Sequence, residues 1–171
     1  MGAKALLAWS AFVTLLAGCS TQVDAPRPEL LALGQQFLLM EEPGGATGIL
    51  DYRESKSEPS DVTLLGRIGG GKPTWSVDSA MFLLSDPTQA IADESHHECH
   101  DDNCPFCKGK TRPDDSRAIV LLTGADGRVP AVDARKMLPL AEGQMVVVSG
   151  RAEINSLGQL VVHARGLYVR R

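Results

Sequence analysis

Basic charge is in short supply in this chain: 17 Lys and Arg stand against 21 Asp and Glu, a formal net charge of −4. A chain so balanced has no positive field with which to hold a phosphate backbone, so nucleic acid is not an expected partner. Long hydrophobic runs are missing as well. The apolar run from Ala5 to Ala17 covers about 13 residues, short of the roughly 20 that a helix needs to cross a bilayer. No serine, histidine and acid fall at a hydrolase spacing, which leaves no case for that chemistry. Gly66-Arg67-Ile68-Gly69-Gly70-Gly71-Lys72 is glycine-rich, but it lacks the Walker spacing and a following helix and reads as a strand end and a turn. Cysteine is scarce too, with four in 171 residues.

Three of those four cysteines sit together. The stretch HHECHDDNCPFC contains His96, His97, Cys99, His100, Cys104 and Cys107, and six soft or borderline ligands in one dozen residues point first to metal binding or thiol chemistry. The fourth, Cys19, ends a different pattern. Lys4 precedes the apolar run, which closes on Leu16-Ala17-Gly18-Cys19-Ser20, a charge, length and small-residue ending suited to a secretory signal. The ending resembles the lipobox of bacterial lipoproteins. That resemblance implies a signal peptide over 1–18, acylation of Cys19 with diacylglyceryl and palmitate-type chains, and a tether over 19–28. It also implies a place in the cell envelope. Ser20, where an aspartate would favour inner-membrane retention, points to the outer membrane, facing the periplasm. Without Lys4 the mature balance is 17 − 1 = 16 basic against 21 acidic residues, a net of −5. About 150 residues remain, enough for one domain with a real core.

Pro28 opens a helix-like segment over 29–40, stopped by Pro43-Gly44-Gly45, although Phe37-Leu38-Leu39-Met40 reads equally as a strand. Asp51 to Ser60 is charged and serine-rich and reads as a linker, so 29–60 is expected to form an N-terminal helical or extended segment ahead of the main domain. Strand patterns follow at Val62–Ile68, Ala80–Leu84, Ala118–Leu122, Met145–Ile154 and Leu160–Val169. A helical turn is expected at Asp133–Met137, and Asn155-Ser156-Leu157-Gly158 marks a hairpin. The expected class is mainly all-β. Five strands with a short helix between the third and fourth follow the order of a Greek-key OB barrel. The phrases at Val62–Ile68, Ala80–Asp86 and Glu142–Ala152 resemble the first, second and fourth strands of OB domains of the anticodon-binding type, which implies an OB-like barrel over 61–171.

On this layout some thirty residues, 87–117, form an insert between strands two and three. OB domains hold single strands with basic grooves and aromatics on these two strands, whereas here they offer Phe82 and no lysine or arginine. Trp75 in the first loop reads as a plug for the barrel end, with stacking on a sugar or base as the alternative. His163 in the fifth strand reads as a surface histidine. The insert has no apolar periodicity, and its acids, Asp93, Glu94, Glu98, Asp101 and Asp102, cannot form a core. A bound metal or a disulfide would give it a reason to be ordered.

Cys99, Cys104 and Cys107 have C-x4-C-x2-C spacing, in which the close pair can grip one ion while Cys99 arrives from the preceding arm. His96 or, second, His100 completes a tetrahedral Cys3His site for one zinc, and Cu(I) suits three thiolates about as well. His97 beside His96 points away in extended chain. The spacing equals the first three ligands of a plant-type ferredoxin, but the fourth cysteine is absent. Lys108 after Cys107 rules out a c-type haem motif. Cys104-Pro105-Phe106-Cys107 resembles the active-site tetrapeptide of glutaredoxins, yet no βαβ pattern frames it. A disulfide within the set is the remaining alternative in an oxidising compartment. The expectation is a lipid-anchored envelope protein binding zinc or copper, structurally or for handling. A thiol-disulfide protein, or a non-catalytic module for a saccharide, peptide or envelope protein, competes with it. Nothing in the chain requires an enzyme.

Overall fold

The computed structural model describes residues 27–55, 59–88 and 114–170. Five strands, β1 (Ser60–Ile68), β2 (Met81–Ser85), β3 (Arg117–Leu122), β4 (Met145–Ile154) and β5 (Leu160–Val169), close into a barrel in the order β1-β2-β3-β5-β4. All neighbouring pairs are antiparallel except β3 with β5. A short helix, α3 (Ala134–Met137), lies between β3 and β4. This is the OB-like Greek-key arrangement that the strand order implied.

The period-two pattern of the sequence becomes the inside and outside of the barrel. Leu64 and Ile68, Phe82 and Leu84, Ala118, Val120 and Leu122, Val146, Val148 and Ala152, and Leu160, Val162 and Ala164 form the buried interior. Gly66 also points inward, because a Cβ there would lie 2.5 Å from Leu84 Cγ. On β5 the phase changes. The ladder passes from Ser149/Gly166 to Gly150/Ala164 and leaves Arg165 as an extra residue, so Leu167 rather than Gly166 continues the core.

The N-terminal segment packs on both ends of the barrel. Helix α1 (Pro28–Gln35) lies against α3 at the end where β3 finishes and β4 begins. The approach is close enough to require glycine: a Cβ on Gly34 would fall 2.0 Å from the Met137 carbonyl oxygen. The helix stops there and Leu38 bridges Leu167 of β5, so the 29–40 run is part helix and part extended. Residues 39–46 then cross the outside of the barrel to Thr47, which bridges Leu64 of β1, and Glu42 pairs with Arg170 on the way. At the opposite end sits α2 (Ile49–Ser55). This corrects the expectation of a linker from Asp51. The helix is held by Ile49 and Tyr52, buried in the main core, and by Tyr52 Oη at 2.8 Å from Ser60 Oγ. The charges that suggested a linker, Asp51 and Glu54, are simply its exposed face.

Candidate functional site

The Cys/His-rich connection between β2 and β3 begins and ends at one place. Ser85 pairs with Arg117, and one step further the Asp86 N–H donates to the Ser116 carbonyl at 2.8 Å. Both arms therefore leave side by side, at the barrel end that also carries α2 and the β4–β5 turn. Cys99, Cys104, Cys107, His96 and His100 lie outside the described residues, as does Cys19. Among the described residues no group of three or more His, Cys, Asp or Glu is placed to hold a metal ion.

What the fold supplies is the root of that insert. Asp86 is 2% exposed. Its Oδ1 accepts from the Thr88 N–H at 2.9 Å and the Thr88 hydroxyl at 2.5 Å, and its Oδ2 accepts from the Leu50 N–H at 3.0 Å. One carboxylate thus closes the turn that starts the insert and satisfies an otherwise orphaned donor in the first turn of α2. Burial works to raise the Asp86 pKa, but the hydrogen bonds from Thr88, Leu50 and Ile49 together outweigh it and hold the carboxyl below its ordinary value. Gly48 makes room for this contact, since a Cβ there would sit 2.8 Å from Asp86 Oδ2.

The returning arm is tied by Arg53 of α2. Its Nε donates to the Asp115 carbonyl at 2.9 Å, Nη2 lies 3.4 Å from Asp115 Oδ1, and Nη2 also donates to the Gly158 carbonyl in the β4–β5 turn at 2.9 Å. The side chain is 13% exposed. Helix α2 is therefore a clasp on both arms. Reading the sequence missed Asp86, Arg53 and Asp115 as a set. The Asp-Pro-Thr turn at 86–88 was a visible signal, whereas nothing local links Arg53 to residues 62 and 105 positions away.

Phe82 is fully buried in the interior and is no stacking platform. Arg117 proves to be the first residue of β3, a correction to strands read as free of cations, but the remaining outward residues of β2 and β3 are Met81, Leu83, Ile119 and Leu121, without an aromatic ring. Trp75 is half-buried against the core, with its ring 5.7 Å from Phe82 and the Arg135 guanidinium 5.3 Å from its centroid. Arg135 is held in turn by Asp133, whose side chain accepts from it and caps α3. That hydrogen bond, against opposing burial, keeps the Asp133 carboxyl below its usual range. The ring serves the barrel end. His163 is half-buried on the outer face, its Nδ1 3.4 Å from Thr123 Oγ1 and its Nε2 3.6 Å from Glu153 Oε1. No protein-family model, curated protein or solved structure matches the chain.

Proposed function

We propose that this is a lipid-anchored protein of the bacterial cell envelope whose β2–β3 insert holds one transition-metal ion, zinc or Cu(I). The ligands are Cys99, Cys104, Cys107 and a histidine, His96 ahead of His100. One observation carries the reading: six His and Cys side chains able to ligate a metal occupy HHECHDDNCPFC, in an insert whose sequence has no apolar periodicity. The barrel supports it indirectly. The described residues build a buried core among themselves. The adjacent arms, fixed by Asp86 and Arg53, provide the fixed base that a loop site needs. Attachment through Cys19 places the domain at the outer membrane, facing the periplasm, where an envelope protein or a saccharide is the expected partner and nucleic acid is not.

The test is elemental analysis of the full-length protein purified from its own compartment without added metal. The expected result is one zinc or copper per chain, lost in Cys104→Ser, with affinity falling as pH drops because thiolate and imidazole ligands take up protons. A disulfide is the outcome that replaces this reading. It predicts two thiols missing from a titration of the denatured protein, and no ion bound by the reduced form at micromolar metal. Anchoring is tested separately: Cys19→Ser should abolish fatty-acid labelling, and a variant that still labels sinks the lipid anchor.

A further inference from the structure

The extra residue on β5 is Arg165, and bulges commonly redirect a side chain at a working surface. Here Arg165 Nη2 reaches across β4 to Asp61 Oδ1 on β1, at 2.8 Å. Beside this pair the backbone of Gly150 comes to the surface of the cleft. A Cβ on Gly150 would fall 2.1 Å from the His163 carbonyl oxygen, and one on Gly166 would fall 2.7 Å from Ser149 Oγ. The backbone contact restricts Gly150 to glycine, whereas Gly166 is covered by the side chains of Ser149 and Leu39 and lies beside the cleft. Thr63 and Ser149 stand opposite each other in the β1–β4 register, and neither hydroxyl has a side-chain hydrogen bond among the described residues. The segment crossing from Leu38 to Thr47 supplies the lip at Gly45. Asp61, Val62, Thr63, Ser149, Gly150 and Arg165, with Gly45, line an open cleft of about 510 Å³, within the range of roughly 300–1,000 Å³ usual for small-ligand sites.

We propose that this cleft binds a neutral polyhydroxylated ligand, a saccharide. The chemistry of the lining decides the class. Arg165 offers only donors and Asp61 only acceptors, while the two hydroxyls offer both. Vicinal sugar hydroxyls answer this set because each can accept from the guanidinium and donate to the carboxylate. An anion would meet Asp61 as well as Arg165, and a cation the reverse. With no ring to stack on, binding rests on hydrogen bonds alone and falls in the millimolar range, near −4 kcal/mol.

The experiment is an NMR titration of the full-length protein with maltose, cellobiose and diacetylchitobiose, and with inorganic phosphate as the charged probe. At least one disaccharide should shift amides at 61–63, 149–150 and 165–166, saturating at millimolar concentration, and phosphate should leave them in place. Arg165→Gln and Asp61→Asn, both at exposed positions, should keep the fold and lose the saccharide shifts. Asp61→Asn should in addition let phosphate move the same amides, because the guanidinium is no longer neutralised. The proposal is overturned if none of the three disaccharides shifts this set, if the shifts survive in Arg165→Gln, or if phosphate binds the unaltered protein there.

Discussion

Asp86 shows how much one side chain can carry when it is buried with its partners in place. Its two oxygens face N–H and O–H donors only, so Asp86→Asn turns an NH2 group toward a donor and should cost about 1–3 kcal/mol at neutral pH. The folded carboxyl titrates below its ordinary value, whereas in the unfolded chain it titrates near about 3.9. Its contribution is therefore complete above that value and is lost as pH falls through the lower, folded one. Urea midpoints should separate the two proteins at pH 7 and converge toward about pH 2. A gap that persists unchanged in acid would assign the loss to packing instead of charge. Gly150 is the second residue of this kind. Gly150→Ala drives a methyl into the His163 carbonyl, which is backbone paired in the ladder, and should cost more than about 3 kcal/mol in denaturant unfolding, beyond the usual range for one substitution.

Among the elements, α2 combines little length with many ties. Seven residues are too few for a helix to be stable alone, and the clasp persists because Ile49 and Tyr52 enter the core while Asp86 and Arg53 fasten the insert's arms. Arg53→Ala removes the hydrogen bonds to Asp115 and Gly158 and leaves the buried anchors intact. Amide exchange should accelerate at 114–116 and 155–159 and remain unchanged across β4. Protection unaltered at 114–116 would show that the returning arm is held by β3 pairing alone. The sequence pattern was least informative for this element, since its two exposed charges, Asp51 and Glu54, equal its two buried residues in number.

For the whole molecule, we predict that the barrel core folds independently of the insert's cysteines. Every strand contributes to a closed, buried interior built among the described residues. Cys99, Cys104 and Cys107→Ser together should leave the far-ultraviolet spectrum and the unfolding midpoint of the barrel nearly unchanged, with any change confined to amides flanking residues 87–117. Global unfolding of that variant would make the insert part of the fold. The opposite holds for residues 37–52, whose Phe37, Ile49 and Tyr52 sit in the main core. They belong to the barrel's stability and are not a detachable leader.

The five strands and the short helix were legible in the sequence because apolar strand patterns are bounded by turn residues, and β4 and β5 begin and end where their patterns do. The six clustered ligands and the cysteine after the apolar run are likewise properties of neighbouring residues and need no fold to be seen. Tertiary structure alone decided which distant groups meet. The phase change at Arg165 depends on the register of β4 against β5, and the Asp61–Arg165 pair spans 104 positions. The α2 clasp joins residues 36, 62 and 105 positions apart. Hydrophobic periodicity reports which face of an element is buried, but carries no information about what covers that face. Residues 51–55, read as the start of a linker, proved to be part of a helix because Ile49 and Tyr52 found the barrel core to cover them.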